Sequence, residues 1–396
     1  MISKRAQSIK PSPTLAIDTK AKTLKQKGVD IINFGIGEPD FDTPKNIKDA
    51  AISAINNGFT KYCPVPGTLE IKNAIINKLQ RDNNTIYLPE EIIVSSGAKH
   101  SLYNLFQAII DPEDEVIIPA PYWVSYIDMV ILAGGKPVVI NTTDKNNFKI
   151  TVDCIKKVIT NKTKAIIINS PSNPTGSTYS QSELKEIAQI CLENKILIIS
   201  DEIYEKLVYD NFKFISVVQA LPQAKDIIVL INGVSKAYAM TGWRIGYAAG
   251  NKEIISAMTK IQSQSTSNAS SISIKAAVEA LNGPQECIEI MRKEFEKRRN
   301  YTVERLNSIE GINCIKPEGA FYVFPNINSV LGKTFNGKVI NSDIEFAEYL
   351  LDQAKIAVVP GTAFGAKGYI RISYATSIEN IQKGIDRLEK TLKGKI

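Results

Sequence analysis

Several residues and patterns that mark common protein classes are scarce or missing in this sequence. Histidine occurs once, at His100, and no GxSxG segment is present, so a Ser-His-Asp hydrolase has no support. The five cysteines are widely spaced, odd in number and contain no CxxC pair. This usage favours a reducing compartment and inert thiols.

Long apolar runs are also missing. Nowhere do eighteen apolar residues follow one another, and the basic N-terminal residues precede no apolar signal segment. The net charge of +7 arises from basic residues interleaved with acids between Lys4 and Lys395, not from an aromatic-studded patch. We therefore expect a cytoplasmic protein that binds neither membrane nor nucleic acid.

What the sequence does contain is an alternation of short apolar runs and amphipathic stretches from about residue 90 to 250. This alternation predicts βαβ units, and the nearly continuous Ile/Val/Leu runs indicate a mainly parallel sheet with helices on both faces. The runs are EIIVSSG, EVIIPAP, KPVVIN, KAIIINSPSNPTG, ILIISDEIY and IIVLINGVSK.

A second unit begins near residue 285 with the charged helical stretch MRKEFEKRRNYTVERL, followed by short strands and helices. A chain of 396 residues exceeds one ordinary core, so two units are expected. The predicted bounds are an N-terminal arm with part of a small domain at 1–45, a large domain at 46–285 and the remaining small domain at 286–396. The expected fold class is α/β, with a large domain built on the parallel sheet and a smaller α+β domain.

Lys236 is the candidate for a covalent link to a cofactor. It follows an apolar strand in LINGVSKAYAMTGWRIGY, among small and hydroxyl-bearing residues. A Schiff-base cofactor needs such a rigidly held lysine beside an electron sink. Alone, Lys236 would more often be an exposed surface lysine, so the interpretation depends on its neighbours.

An electron-sink ring nitrogen requires a carboxylate in a low-dielectric site. Asp201 closes the buried run KILIIS and fits that need, although it could instead cap a helix at EIYEKL. Tyr204 and Asn173 are candidate donors to the phenolic oxygen of such a cofactor. Asn173, in SPSNPTG, could also be an ordinary turn residue.

Further residues suit a phosphate and a substrate carboxylate. Ser96, Gly97 and Ala98 open a helix directly after a strand, which is an anion site, and Ser235 and Arg244 could complete it. Trp123 offers a face for ring stacking or core packing. Arg371, in GYIRISYA, either lies on an exposed strand face or clamps a substrate carboxylate.

The combined pattern resembles the class I aminotransferases of PLP fold type I along nearly the whole chain. The segments that are similar to the bacterial aspartate aminotransferases of subgroup Ib, several of which also act on prephenate, are NFGIGEPDFDTP, TKYCPVPGTLEIKNAI, PYWVSY, SPSNPTG, SDEIYE, SKAYAMTGWRIGY and VVPGTAFG. The resemblance implies pyridoxal 5'-phosphate as cofactor and a seven-stranded, mainly parallel sheet in the large domain.

The resemblance also implies contacts that the residues alone do not indicate. Gly37 would contact substrate through its backbone, Trp123 and Asn173 would touch cofactor and substrate, and Arg371 would hold the α-carboxylate. Tyr62 would reach the phosphate of a neighbouring subunit, making the enzyme a homodimer with shared active sites. Lys99 would assist recognition of the distal carboxylate, and Lys10 matches a lysine associated with prephenate.

The expected reaction is transfer of the amino group of aspartate to 2-oxoglutarate, with glutamate–prephenate transamination to arogenate as a further activity. A β-lyase or a broad-range aromatic aminotransferase could use the same cofactor residues. A nucleotide-binding loop at GKTFNGK fails at Val339, where Ser or Thr is required. No metal site is expected.

Overall fold

The computed structural model describes residues 1–9, 11 and 13–394. Within this part of the chain, no helix is both long and apolar enough to cross a membrane. The helices are α1 (Lys4–Gln7), α2 (Pro13–Gln26), α3 (Lys45–Asn56), α4 (Leu69–Asn83), α5 (Ala98–Ile109), α6 (Ser125–Leu132), α7 (Val152–Lys156), α8 (Gln181–Glu193), α9 (Val217–Ala220), α10 (Lys252–Ser263), α11 (Ser271–Asn282), α12 (Glu286–Asn307), α13 (Asp343–Tyr349) and α14 (Ile378–Leu392).

The strands form one large and several small sheets. In chain order they are β1 (Ile32–Asn33), β2 (Ile92–Ser95), β3 (Glu115–Ala120), β4 (Lys136–Asn141), β5 (Thr163–Asn169), β6 (Leu197–Asp201), β7 (Ile228–Gly233), β8 (Gly246–Ala249), β9 (Tyr322–Val323), β10 (Thr334–Phe335), β11 (Lys338–Val339), β12 (Ile356–Ala357), β13 (Val359–Pro360) and β14 (Ile370–Ser373).

The large sheet has seven strands in the order β2-β8-β7-β6-β5-β3-β4. Every neighbouring pair is parallel except those of β8, which runs antiparallel to β2 and β7. The predicted mainly parallel sheet is thus confirmed. The sequence runs did not include β8, because GYAA is short and poor in large apolar residues. A β-carbon on Gly246 would lie 2.1 Å from the Ala98 nitrogen, so this position of β8 has no room for a side chain.

Helices cover both faces of this sheet, as the unbroken apolar strands predict. Alternate residues of one strand enter different cores. Ile166 and Ile168 of β5 pack in the core that contains α8 residues. Ile167 of the same strand packs in the core that contains residues of α5, α6 and α10.

The second unit contains the antiparallel sheet β13-β14-β9, and its core lies against α12 and α14. The predicted long helix is confirmed as α12. From the other end of the chain, β1 pairs in parallel with β12, and Asp30 accepts hydrogen bonds from Lys383 and Arg387. This pairing is what a small domain that includes part of the N-terminal arm requires, although the domain bounds remain a prediction.

The carboxyl ends of the parallel strands meet at one edge of the large sheet. The loops after β3, β5, β6 and β7 carry Trp123, Asn173, Tyr204 and Lys236 respectively. Ligands of open α/β sheets bind at this edge. The fold therefore brings residues from widely separated segments to a single place, opposite β14.

Candidate functional site

A cavity of about 430 Å³ lies between the carboxyl edge of the large sheet and the second unit. Its walls include a lysine, a buried aspartate and a buried arginine from different segments. Among the residues predicted from the sequence, those that line it are Gly37, Ala98, Lys99, Trp123, Asn173, Asp201, Tyr204, Ser235, Lys236, Arg244 and Arg371.

Asp201 is the last residue of β6 and is almost fully buried. The Tyr126 hydroxyl donates a hydrogen bond of 2.6 Å to its carboxylate, and the Ile203 N–H donates one of 3.3 Å. Burial raises the pKa of Asp201 to about 6, although the hydrogen bond from Tyr126 opposes the shift. The helix-cap alternative is wrong, because turns, not a helix, follow β6. The carboxylate lines the cavity. A cation bound there would stabilise its charged form.

Lys236 follows β7 and is half-buried at the cavity wall, where its ammonium donates to the Gly37 carbonyl. Burial lowers the pKa of Lys236 to about 8; Glu38 opposes this shift, whereas Arg371 and Arg244 add to it. The neutral amine that nucleophilic attack requires is therefore more abundant near pH 7 than it is for an ordinary lysine.

Arg371 lies on β14, and its side chain is 2% exposed. One guanidinium nitrogen donates to Asn173 Oδ1 at 3.0 Å and another to the Gly35 carbonyl at 2.8 Å. The guanidinium carbon lies 4.4 Å from the centre of the Tyr322 ring. The exposed-face alternative is wrong, because all four residues of β14 are buried.

No carboxylate of the described residues forms an ion pair with Arg371. Its Nε is buried and has no hydrogen-bond partner in the same part of the chain. Burial lowers the pKa of Arg371, with Tyr322 opposing the shift. A buried, largely uncompensated guanidinium is costly unless an anion joins it. The cavity thus offers an anion site at this wall.

A second anion site lies at the start of α5. Gly97 caps the helix at φ 90°, and a β-carbon there would lie 2.2 Å from an Arg244 guanidinium nitrogen. Arg244 is held by a bond of 2.8 Å to the Thr241 carbonyl. Gly97 and Ser96 do not line the cavity but adjoin Arg244, whose other nitrogen is 3.4 Å from the Ser96 carbonyl. A helix N-terminus beside an arginine suits phosphate.

His100 belongs to the same turn. Its Nδ1 accepts the Ser96 N–H at 3.2 Å, and partial burial lowers its pKa. His100 thus packs at the start of α5. In this arrangement His100 shapes the loop and does not reach the cavity wall.

Other predicted residues lie at the rim or outside it. The Lys99 ammonium is 4.8 Å from the centre of the Trp123 ring, and desolvation, followed by Arg244, lowers the pKa of Lys99. Tyr62 is 93% exposed and lies outside the cavity of its own chain. Lys10 lies outside the described residues.

Sequence reasoning missed several residues that support the site. Tyr126 lies three residues after Trp123, at the start of α6, and its ring contacts that of Trp123. Asn169 accepts the Asn173 N–H at 2.8 Å and donates to the Asp201 carbonyl at 3.0 Å. Tyr322, whose hydroxyl lies 3.0 Å from that of Tyr204, had no signal, because it comes from a two-residue strand in the second unit.

Comparison with known proteins connects this geometry to a family. The profile described as "Aminotransferase class I and II" matches residues 29–388. The chain belongs to the class I and II aminotransferases. A "Probable aspartate/prephenate aminotransferase" of Rickettsia conorii is 54% identical over 394 residues, covering 99% of this chain and 98% of the relative. An "Aspartate aminotransferase" of Bacillus subtilis is 51% identical over 389 residues and covers 98% of both chains.

Solved structures agree with this family assignment. The aspartate aminotransferase of Rhizobium meliloti superposes with a TM-score of 0.96 at 45% identity, over 99% of both chains. The aspartate aminotransferase of Thermus thermophilus with maleate gives a TM-score of 0.93 at 42% identity, again over 99% of both. The predicted family and fold type are thereby confirmed.

Aminotransferases of this family depend on pyridoxal 5'-phosphate, and the cavity fits that group. The space that a β-carbon at Gly97 would fill lies beside Arg244 and the helix N-terminus, as a phosphate requires. Asp201 is a buried carboxylate without a cationic partner at hydrogen-bond distance in the described residues, as a protonated ring nitrogen requires. Lys236 faces the space between them.

Proposed function

We propose that the protein is an aspartate aminotransferase, which transfers the amino group of aspartate to 2-oxoglutarate and yields oxaloacetate and glutamate. The observation that carries this proposal is the single cavity that joins Lys236, Asp201 and the uncompensated Arg371. Arg371 favours an amino acid that retains its carboxylate, and therefore argues against decarboxylation or a neutral amine substrate.

The cofactor residues take the following roles in this proposal. Pyridoxal phosphate supplies an aldehyde that condenses with amines and a protonated ring that accepts an electron pair. Asp201 holds the proton on the ring nitrogen. Tyr204 and Asn173 donate to the phenolic oxygen; Asn173 accepts from Arg371 with Oδ1, so its Nδ2 is the donor. Trp123 stacks on the ring. The phosphate is bound by Ser96, Gly97, Ala98, Ser235 and Arg244.

Substrate roles follow from the charges around the cavity. Arg371 binds the α-carboxylate, and Gly37 contributes its backbone. Lys236, once substrate has displaced it, would take the Cα proton at Nζ and deliver it to C4′ of the cofactor. Its pKa of about 8 suits a base that works near neutral pH. Lys99, whose ammonium lies over the Trp123 ring, would bind the distal carboxylate.

We further propose that the active enzyme is a homodimer located in the cytoplasm. The support for the dimer is Tyr62, a large aromatic side chain that is 93% exposed, as expected if it reaches the phosphate of a neighbouring subunit. Prephenate is proposed as a further substrate because the Rickettsia relative carries that name. Lys10 is the residue assigned to it.

One experiment tests the central assignment. The purified protein is given aspartate and 2-oxoglutarate, its cofactor spectrum is recorded, and the products are identified. We expect the band of lysine-bound cofactor to bleach with aspartate and oxaloacetate and glutamate to form. Lys236→Ala should abolish both the band and turnover, whereas Lys260→Ala, an exposed lysine on α10, should retain them. Release of ammonia and pyruvate from cysteine, which carries a leaving group on Cβ, without formation of oxaloacetate from aspartate would instead identify a β-lyase.

A further inference from the structure

Gln262, at the end of α10, is a buried polar residue outside the cavity and has no part in the mechanism above. Its side chain is 0% exposed. The side-chain oxygen accepts from Ser95 Oγ at 2.7 Å and from Asn104 Nδ2 at 3.0 Å. The nitrogen donates to the carbonyls of Val65 at 2.8 Å and Val94 at 3.0 Å. Every hydrogen-bonding position of the amide is therefore used.

The partners also fix which way the amide points. Two carbonyl oxygens, those of Val65 and Val94, can be satisfied only by the NH₂ group, and the Asn104 NH₂ can be satisfied only by an oxygen. A flipped amide would place oxygen against oxygen. In a fully desolvated place such a network is rigid, because losing any one bond leaves a polar group unpaired.

Three of the four partners lie beside Ser96–Ala98, the proposed phosphate loop. Val94 and Ser95 end β2 immediately before Ser96 and Gly97, and Asn104 lies on α5, the helix whose N-terminus faces Arg244. Gln262 therefore ties the strand that enters the loop to the helix that leaves it.

Another partner, Val65, belongs to a different segment. It follows Tyr62 by three positions in KYCPVPG. The segment packs against β2, where the Val94 N–H donates a hydrogen bond of 3.0 Å to the Pro66 carbonyl. A β-carbon on Gly67 would lie 3.0 Å from the Val94 side chain, so the approach is close. Gln262 is thus bonded to both the phosphate loop and the segment that carries Tyr62.

We propose that Gln262 is a positioning residue for the cofactor's phosphate, holding the phosphate loop of its own subunit and the Tyr62 segment that serves the neighbouring subunit. The proposal rests on the proposed function, through the phosphate roles of Ser96–Ala98 and Tyr62. One amide then positions two groups that bind phosphate: the phosphate loop in the active site of its own subunit and Tyr62 in the active site of the neighbouring subunit.

The test compares the affinity of the full-length, cofactor-depleted protein for pyridoxal phosphate with its affinity for pyridoxal, which lacks the phosphate. Gln262→Met keeps the length and removes all four bonds. We expect it to weaken pyridoxal phosphate binding about 10- to 100-fold, the equivalent of one lost hydrogen bond to a charged group. Pyridoxal binding should change less than about twofold. The phosphorus NMR signal of bound cofactor should also shift.

Two further variants separate positioning from general stability. Asn307 likewise uses both ends of its amide, on the Cys314 carbonyl and N–H, but lies in the second unit. Asn307→Leu should lower stability and leave the ratio of the two affinities unchanged. Ser95→Ala removes a single bond of the network and should change the ratio in the same direction by a smaller factor, even if Gln262→Met fails to fold.

Equal weakening of both ligands, or no change in the ratio for Gln262→Met and Ser95→Ala, would overturn the proposal and leave Gln262 as a structural residue. Failure of the proposed function is distinguishable. If the phosphate site is wrong, the unmodified protein shows no preference for pyridoxal phosphate over pyridoxal, and if the reaction is wrong, the product assay with aspartate and 2-oxoglutarate fails while the preference remains.

Discussion

Replacing Asp201 by asparagine should stabilise the cofactor-free protein at neutral pH while it removes activity. The pKa of Asp201 rises from an ordinary value of 3.8 to about 6 because burial disfavours its charge. A difference of about two pH units corresponds to about 3 kcal/mol at roughly 1.4 kcal/mol per unit. Asparagine is nearly isosteric, accepts from Tyr126 in the same way and carries no charge.

The pH dependence has a definite sign. A raised pKa means that the folded state binds the proton more tightly than the unfolded state, so stability is highest below about pH 4 and is lost as pH rises through 6. The asparagine variant lacks this loss. The difference in free energy of unfolding between the variant and the original protein should therefore grow between pH 5 and 7, by about half of the total of about 3 kcal/mol.

The assay is urea unfolding of cofactor-free protein at several pH values, with Asp49→Asn as the control. Asp49 pairs with Lys45 at the surface, where its side chain is 53% exposed, so its loss should change stability by less than about 1 kcal/mol. With pyridoxal phosphate present, the order of stability should reverse. An Asp201→Asn variant that is less stable at pH 7, with no dependence of the gap on pH, would refute the reasoning.

Further predictions concern the anion sites. Arg371→Leu should lower kcat/KM for aspartate at least about 100-fold, through loss of a two-pronged charged contact, while the cofactor spectrum persists; an unchanged KM would contradict the carboxylate role. Gly97→Ala should weaken cofactor binding about 10-fold or more, because the new methyl meets Arg244. Gly28→Ala, at a similar positive φ with nothing within 4 Å, is its control. Lys99→Met should raise KM for aspartate about 10-fold but not that for alanine, as measured by steady-state kinetics.

Much of the fold and site could be predicted because each part left a local pattern. Apolar runs bounded by polar residues predicted the strands, and residues directly after those runs supplied Asn173, Asp201, Tyr204 and Lys236. Strand-end chemistry is readable in sequence because parallel strands end at the same edge.

Residues that depend on long-range contact were less accessible. Arg371 taken alone fitted an exposed strand residue as well as a carboxylate clamp, since the sequence does not reveal that β14 is covered on both faces. Tyr322 has no motif of its own, and NFGIGEPDFDTP does not indicate that Gly35 contacts Arg371. Tyr322 reaches Arg371 from the neighbouring strand β9, and Gly35 reaches it from the N-terminal segment. Glu38 is exposed, and its influence on Lys236 depends only on spatial approach. Contacts and charge effects of this kind arise from tertiary structure, which local sequence patterns do not encode.

The parallel pairing of β1 with β12 has a consequence for biosynthesis. Ile32 pairs with Ile356, and at ribosomal speeds of roughly 5–20 residues per second the partner emerges about 16–65 s later. β1 therefore has no partner strand until the large domain and β12 have been translated. The Gly35 carbonyl that accepts a hydrogen bond from Arg371 lies just after this strand, so the substrate site is incomplete until β14 has been synthesised.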